Sequence, residues 1–365
     1  MILNRGLTGW LSILFCGWAL CLSFGNAAHA LDDFRPLYRG ARAQAMGNAF
    51  VAVADDEEAI FYNPAGLAGI KRISMNIASI DAQASGDLFT NLNSLTTALS
   101  SSSATSFNNI MGKNYFAQAT GSAGLVAPGF GIAGIYDYWA AIRLQNQASP
   151  QGEFGAQNTY GGQIAFGARV LRFKNRRAEL RVGGALKGLR RSGGMQFMNV
   201  NQIMNLSYNT ITNSLKSSGI GIGVDLGAQL VYPFKKWRLQ LGVALTDAGN
   251  TSFQGGSADV QRSNFTAGAA FIYEGPEMTA TFAADWARIL DYADWRKKTH
   301  LGMELKFPIL SLYAGMSEFN VTFGAGLNLG LIRVIASSYD EELGTTLGQI
   351  SERRYMIHAQ FKFDL

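Results

Sequence analysis

From Ile220 the chain alternates with a period of two. Ile220, Ile222, Val224, Leu226, Ala228, Leu230 and Tyr232 share one face; Gly221, Gly223, Asp225, Gly227 and Gln229 share the other. Such alternation marks an extended segment lying between an apolar and a polar environment. After Pro233 to Lys236 it restarts with Trp237, Leu239, Leu241, Val243 and Leu245. The last segment sets Tyr355, Ile357, Ala359, Phe361, Phe363 and Leu365 opposite Met356, His358, Gln360, Lys362 and Asp364. Segments of this kind are read at 72–82, 119–127, 130–145, 158–173, 178–191, 219–232 and 237–247, and again at 264–274, 277–289, 299–307, 309–316, 319–328, 331–338 and 354–364. The count is fourteen, or twelve without the weakest two, 119–127 and 309–316. An even count suits a closed antiparallel barrel.

Two architectures present such a pattern. In a soluble sandwich the apolar face points inward, whereas in a membrane barrel it points out to lipid around a polar lumen. The segments are longer than the ~5–6 residues usual for globular strands, and their second face is rich in glycine, alanine and isolated charges. Aromatic residues recur near segment ends, at Phe130, Tyr138, Tyr232, Trp237, Tyr273, Trp286, Phe307 and Tyr355, as interfacial girdles require. Connections alternate between tight ones, such as Pro128-Gly129 and Gly275-Pro276, and long ones, above all 83–118 and 192–218; only 317–318 breaks the rhythm. This favours an all-β fold: a transmembrane antiparallel β-barrel of about fourteen strands, occupying 71–365, with both ends of the mature chain on the tight-turn side. Arg169, Arg181, Lys187, Arg238, Lys306 and Arg333 are expected inside, alongside Asp225, Asp285 and Glu304. Helical spacing of Leu88, Leu92, Leu95 and Leu99 predicts a short helix in the first long loop, and Met198 to Leu215 gives a looser second one.

Composition narrows the class. Only 16% of the 365 residues are charged, against the usual ~25%, and 42 are glycine, which is unlike a disordered chain. Beyond the N-terminus no run of 18 apolar residues occurs, so a polytopic helical membrane protein is excluded. A net charge of +5 gives no signal for nucleic acid. Both cysteines, Cys16 and Cys21, fall within residues 1–30, where Arg5, the apolar stretch Leu7 to Phe24 and Ala28-His29-Ala30 form the three parts of an export signal. The alternative is a membrane anchor. With the signal removed no thiol remains for a disulfide scaffold or thiol catalysis.

Residues 31–70 precede the barrel. Their centre reads Gly40-Ala41-Arg42-Ala43-Gln44-Ala45-Met46-Gly47, then Ala49-Phe50-Val51-Ala52-Val53-Ala54-Asp55-Asp56 and finally Asn63-Pro64-Ala65-Gly66-Leu67-Ala68. Small residues at alternate positions permit close backbone approach inside a narrow lumen, so the segment is expected to be a plug. The stretch resembles the opening of the FadL/PorV superfamily of outer-membrane proteins, with Asn63-Pro64-Ala65 matching its N-P-A element. Residues 40–56 are more similar to PorV/PorQ-type members than to the long-chain fatty acid transporters. The resemblance implies a bacterial outer-membrane barrel of about fourteen strands with an N-terminal hatch, whose motif residues here are Gly40, Arg42, Met46, Gly47, Asp55, Asp56, Asn63, Pro64, Ala65 and Gly66.

Three function classes follow. The resemblance implies passive, plug-gated passage of a hydrophobic, fatty-acid-like small molecule, leaving through a kinked strand wall; Gly129, Gly131 and Gly134 are the candidates for a side opening, or else relieve crowding in the lumen. It implies equally a PorV-like barrel that binds an envelope protein partner through its long loops. An enzyme is disfavoured: the barrel has only His300 and His358, and no catalytic triad, metal spacing or cofactor motif is visible. Asp55-Asp56-Glu57-Glu58 lacks the spaced oxygens of a calcium loop and reads as a solvated turn or as partners for lumen arginines. The expected partners are outer-membrane lipid, a hydrophobic small molecule or an envelope protein, and not nucleic acid.

Overall fold

A computed structural model of the chain describes residues 34–101, 108–145, 151–173, 178–198, 216–255 and 258–365. The expected export signal at 1–30, the expected tight turn at 174–177 and most of the expected second loop helix lie outside them. Fourteen strands run in chain order. They are β1 Ser74–Ser85, β2 Asn114–Ala127, β3 Phe130–Gln145, β4 Gln151–Phe173, β5 Ala178–Met198, β6 Ser218–Phe234 and β7 Trp237–Thr246. The second half comprises β8 Asn264–Glu274, β9 Thr279–Trp286, β10 Thr299–Lys306, β11 Leu310–Ser317, β12 Asn320–Asn328, β13 Ile332–Glu342 and β14 Ser351–Asp364. Each pairs antiparallel with its sequence neighbours, and β1 pairs with both β2 and β14, so the sheet closes into a barrel without edges.

The direction of the side chains decides between sandwich and membrane barrel. On β6, Ile220 and Ile222 are 61% and 72% exposed while Asp225 and Gln229 on the other face are 1% exposed. The apolar rows thus face outward around the cylinder, which only a hydrocarbon surrounding makes favourable. At the tight-turn rim Trp237 stacks on Phe271 with ring centroids 4.4 Å apart, and Tyr232, Phe234 and Tyr273 extend the cluster. At the opposite rim Trp295 meets Phe319 edge-on at 5.5 Å. The two belts suit the two membrane interfaces.

β2, β4 and β5 reach furthest beyond their sequence signals. β2 begins at Asn114, β4 at Gln151, and β5 continues to Met198. There the ladder persists, with Gly152 opposite Met198, but the strands have left the apolar band and the alternation fades. The connection at 317–318 is a hairpin turn in which Glu318 and Phe319 both adopt positive φ, 52° and 61°, the form whose twist matches that of the strands.

The first long loop carries the expected helix, at Gly86–Ser101, with a kink at Asn91. Its buried side is Leu95 and Ala98, packed with Ile110, Tyr115, Leu144 and Phe154 at the long-loop rim. Phe89 and Leu92 point outward, and Phe89 lies edge-on to Tyr355, 6.0 Å away on the outer face of β14.

Two expectations need correction. Arg169 and Lys306 are on the inner face but not buried in the lumen: Arg169 donates to the Ala68 carbonyl of the plug at 3.1 Å, Lys306 lies beside Glu304, and both are exposed at the tight-turn mouth. Nor do both chain ends lie on that side. Leu365 does, donating its N–H to the Ile73 carbonyl at 2.7 Å. Phe34 instead lies beneath Arg262 and Arg288, in the loops following β7 and β9 at the long-loop rim.

Candidate functional site

From Phe34 the chain descends through the lumen to Ile70 and leaves at the exposed Lys71 and Arg72. Along the way it forms two short helices, α1 Ala41–Ala45 and α2 Ala59–Tyr62, and a 3-10 turn, Pro64–Gly69. Ala41, Ala43, Ala45, Met46, Ala49, Phe50 and Ala52 are fully buried and share one core cluster with inward wall residues such as Ala165, Ala185, Ile272 and Ile335. The plug and the lumen wall therefore form a common interior.

Close approach explains the glycines on both partners. A Cβ on Gly242 would stand 2.7 Å from the Ala52 Cα, and one on Gly315 would meet the Gly47 backbone N at 2.5 Å. Gly47 itself has φ +62°, a conformation that favours glycine. Its carbonyl accepts a hydrogen bond from the His300 Nδ1 at 2.9 Å, which fixes the ring's tautomer. On Gly40 a Cβ would strike the Glu58 carboxylate, and on Gly66 the Ala54 carbonyl. Asn63 pins a second part of the plug: its Nδ2 donates to the Val51 carbonyl at 2.9 Å and its Oδ1 accepts from the Ala65 N–H at 3.2 Å. Pro64 starts the 3-10 turn and lies against Gly183, where a Cβ would strike its backbone.

Charge fastens the plug near the tight-turn rim. Arg42 forks onto Glu304 of β10, with Nε to Oε1 at 3.1 Å and Nη2 to Oε2 at 2.7 Å. Its Nη1 also donates to Asp55 and Asp56, each at 2.8 Å. Glu57 accepts from Arg333 at 3.3 Å and from the Gln360 Nε2 at 2.7 Å. The acidic run thus partners lumen arginines. Electrostatics follow this geometry: burial opposes the charge on Glu57, but Arg333 and Lys362 overcome it and lower its pKa to about 2. For Glu58, burial together with Asp56, Glu57 and Asp81 pushes the carboxyl well above the usual range. Asp285, reaching from β9, accepts the Phe50 and Val51 N–H groups at 2.7 and 2.8 Å.

The structure gathers every hatch-motif residue in the lumen. The three glycines of the candidate side opening are not gathered. Gly129 makes the β2–β3 turn at φ +79°, Gly131 faces Ile60 of the plug, and Gly134 points outward. β3 pairs with both neighbours without a shift in register. The wall is interrupted elsewhere. On β1 the register shifts between Asn76 and Ala78 against β14, and between Asn76 and Ser79 against β2. A cavity of about 20 Å³ lies just inside this bulge, bordered by Ile60 and Phe61 of the plug and by Asn76, Val126 and Gln360 of the wall. The bulge was legible in the sequence: outward residues run Ile73, Met75, Ile77 and then Ile80, a step of three where the period is two.

His358 pairs with Asp81 at 2.7 Å across β14 and β1. Both barrel histidines thus hold structural partners. Among the described residues, no group of three His, Cys, Asp or Glu side chains is placed to hold a metal ion.

No family model and no curated protein sequence matches the chain. Solved structures with similar folds include the monoaromatic hydrocarbon channel CymD, at TM-score 0.49 and 11% identity over 91% of this chain and 99% of that one. The Pseudomonas putida toluene transporter TodX follows at 0.48 and 11%, over 91% and 98%. The Ralstonia pickettii toluene transporter TbuX stands at 0.43 and 10%, over 89% and 97%. With identities this low and TM-scores below 0.5, function has to be argued from this chain's own residues.

Proposed function

We propose that the chain is an outer-membrane conduit for hydrophobic small molecules, closed by residues 34–70 and opening sideways through the wall at β1. The observation that carries this reading is the coincidence of three features: the two-sided register break at Asn76 to Ser79, the cavity behind it, and the apolar plug face at Ile60 and Phe61. An apolar solute crosses a polar outer surface slowly, and a protected apolar path to the membrane interior lowers that barrier. At about 20 Å³ the cavity has room for little more than a water molecule, so the described state is closed and passage requires the plug to shift. Uptake of a radiolabelled apolar solute by cells with and without the chain tests the reading. Faster uptake with the chain is expected; equal uptake would remove the proposal.

A partner-binding reading has its own observation. Leu290, Tyr292 and Trp295, on the loop after β9, are 75%, 99% and 57% exposed. Apolar residues so exposed on a long loop suit an envelope protein surface. A partner retained in mild detergent and lost on Leu290→Ser with Tyr292→Ser would support it.

A further inference from the structure

The cavity behind β1 is short of hydrogen-bond donors. Glu58, Asn76 and Gln360 border it, are 5%, 7% and 3% exposed, and each carries a buried oxygen with no partner among the described residues: Oε2, Oδ1 and Oε1. The amide orientations are fixed by what they donate to. The Gln360 Nε2 lies 2.7 Å from the Glu57 carboxylate, and the Asn76 Nδ2 points to the Ser79 Oγ at 3.3 Å and to the Ser122 carbonyl. Turning Gln360 would set its oxygen against the Glu57 carboxylate, and turning Asn76 would set its oxygen against the Ser122 carbonyl, so the unpartnered atoms are acceptors.

Burial and its acidic neighbours favour a proton on Glu58. That proton supplies one donor and leaves the two amide oxygens unmatched. Leaving such buried groups bare is costly. The opposite side of the cavity is apolar, with Ile60, Phe61 and Val126.

We infer that this cavity selects the polar end of the conducted molecule, favouring apolar solutes that carry a hydroxyl or amine over pure hydrocarbons and over carboxylates. The inference rests on the conduit reading. A hydroxyl or amine offers the missing N–H or O–H to these oxygens while its hydrocarbon part meets the apolar wall. A hydrocarbon offers no donor, and a carboxylate adds two more acceptors beside Glu58, where the nearby Arg333 is already paired with Glu57.

The test compares uptake of radiolabelled octan-1-ol, octylamine, octane and octanoate by cells with and without the chain, each rate corrected for chain-free cells. The alcohol and the amine are expected to enter about tenfold faster than octanoate, the equivalent of one well-formed hydrogen bond. Asn76→Leu together with Gln360→Met, which removes both unmatched oxygens, is expected to level the series. Equal corrected rates for all four solutes with the native chain would overturn the inference and leave the conduit standing; a bound water would then satisfy these oxygens. A preference that survives in a folded double variant, judged by the heat-dependent gel shift of a closed barrel, would also overturn it. Uptake no faster than in chain-free cells for any solute would overturn the conduit reading itself.

Discussion

Arg42 of the plug and Glu304 of β10, 262 positions apart in sequence, form a two-pronged ion pair with side chains 6% and 2% exposed. Removing one partner strands the other charge in the interior, at a cost of about 3–5 kcal/mol. Arg42→Ala leaves the buried Glu304 without its cation and also takes a partner from Asp55, which is 43% exposed, and from Asp56, which keeps Arg333 at 3.8 Å. Glu304→Gln strands no carboxylate and leaves the guanidinium its two acidic neighbours. Arg42→Ala is therefore expected to admit small polar antibiotics that the native barrel excludes, with a weaker effect for Glu304→Gln. Antibiotic susceptibility of cells carrying each variant checks the order.

The plug also depends on wall positions that have no side chain. A Cβ on Gly242 would stand 2.7 Å from the Ala52 Cα, and both groups belong to backbone that cannot swing away. Gly242→Val is expected to unseat the middle of the plug while the strands still pair, since valine suits a strand. The barrel should keep its heat-dependent gel shift, and limited proteolysis should cut within 40–70 far faster than in the native chain.

The barrel was legible because lipid imposes one rule on every strand, and Ile220 to Tyr232 follows it residue by residue. The plug was legible from its small residues and its motif. What the period of two could not give is which inward residues meet one another. Glu304 and Arg333 read alike as lumen charges, yet one meets Arg42 and the other Glu57. Such pairings follow from how a segment without periodicity threads the lumen. Lys306 and Arg169 show the converse: the alternation placed them inward, but near a strand end a long side chain reaches solvent. For the glycines at 129, 131 and 134 the sequence allows a side opening or relief from crowding in the lumen, and Gly131, with Ile60 where its side chain would stand, fits the second.

A pH response is expected at the long-loop rim. Glu318, in the β11–β12 turn, accepts the Glu342 N–H at 3.0 Å. Burial, with Glu341 nearby, raises its pKa from 4.5 to about 8, against the pull of Lys297. The folded state thus holds this proton more tightly than the unfolded chain does. Its contribution is fully present below about 4.5 and is lost as pH rises through about 8. Hydrogen exchange at 343–350 should quicken across that window, and Glu318→Gln should flatten the dependence. An unchanged slope in the variant would assign the response to another group.

Asn63 separates two ways of loosening the plug. Its side chain is fully buried, with the amide nitrogen 2.9 Å from the Val51 carbonyl and 3.4 Å from the carbonyls of Ala228 and Val243. Asn63→Ala removes the cap on Ala65 and the bond to Val51, a loss of about 1–2 kcal/mol. Asn63→Asp keeps the acceptor for Ala65 but points a carboxylate oxygen at three carbonyl oxygens, where an unpaired buried charge costs several kcal/mol. The nearly isosteric aspartate is therefore expected to be the more disruptive substitution at neutral pH, and acid should partly rescue it by protonation. Hydrogen exchange over 60–70 at two pH values distinguishes the cases. Equal protection in both variants would mean that the cap, and not the carbonyl cluster, holds this part of the plug.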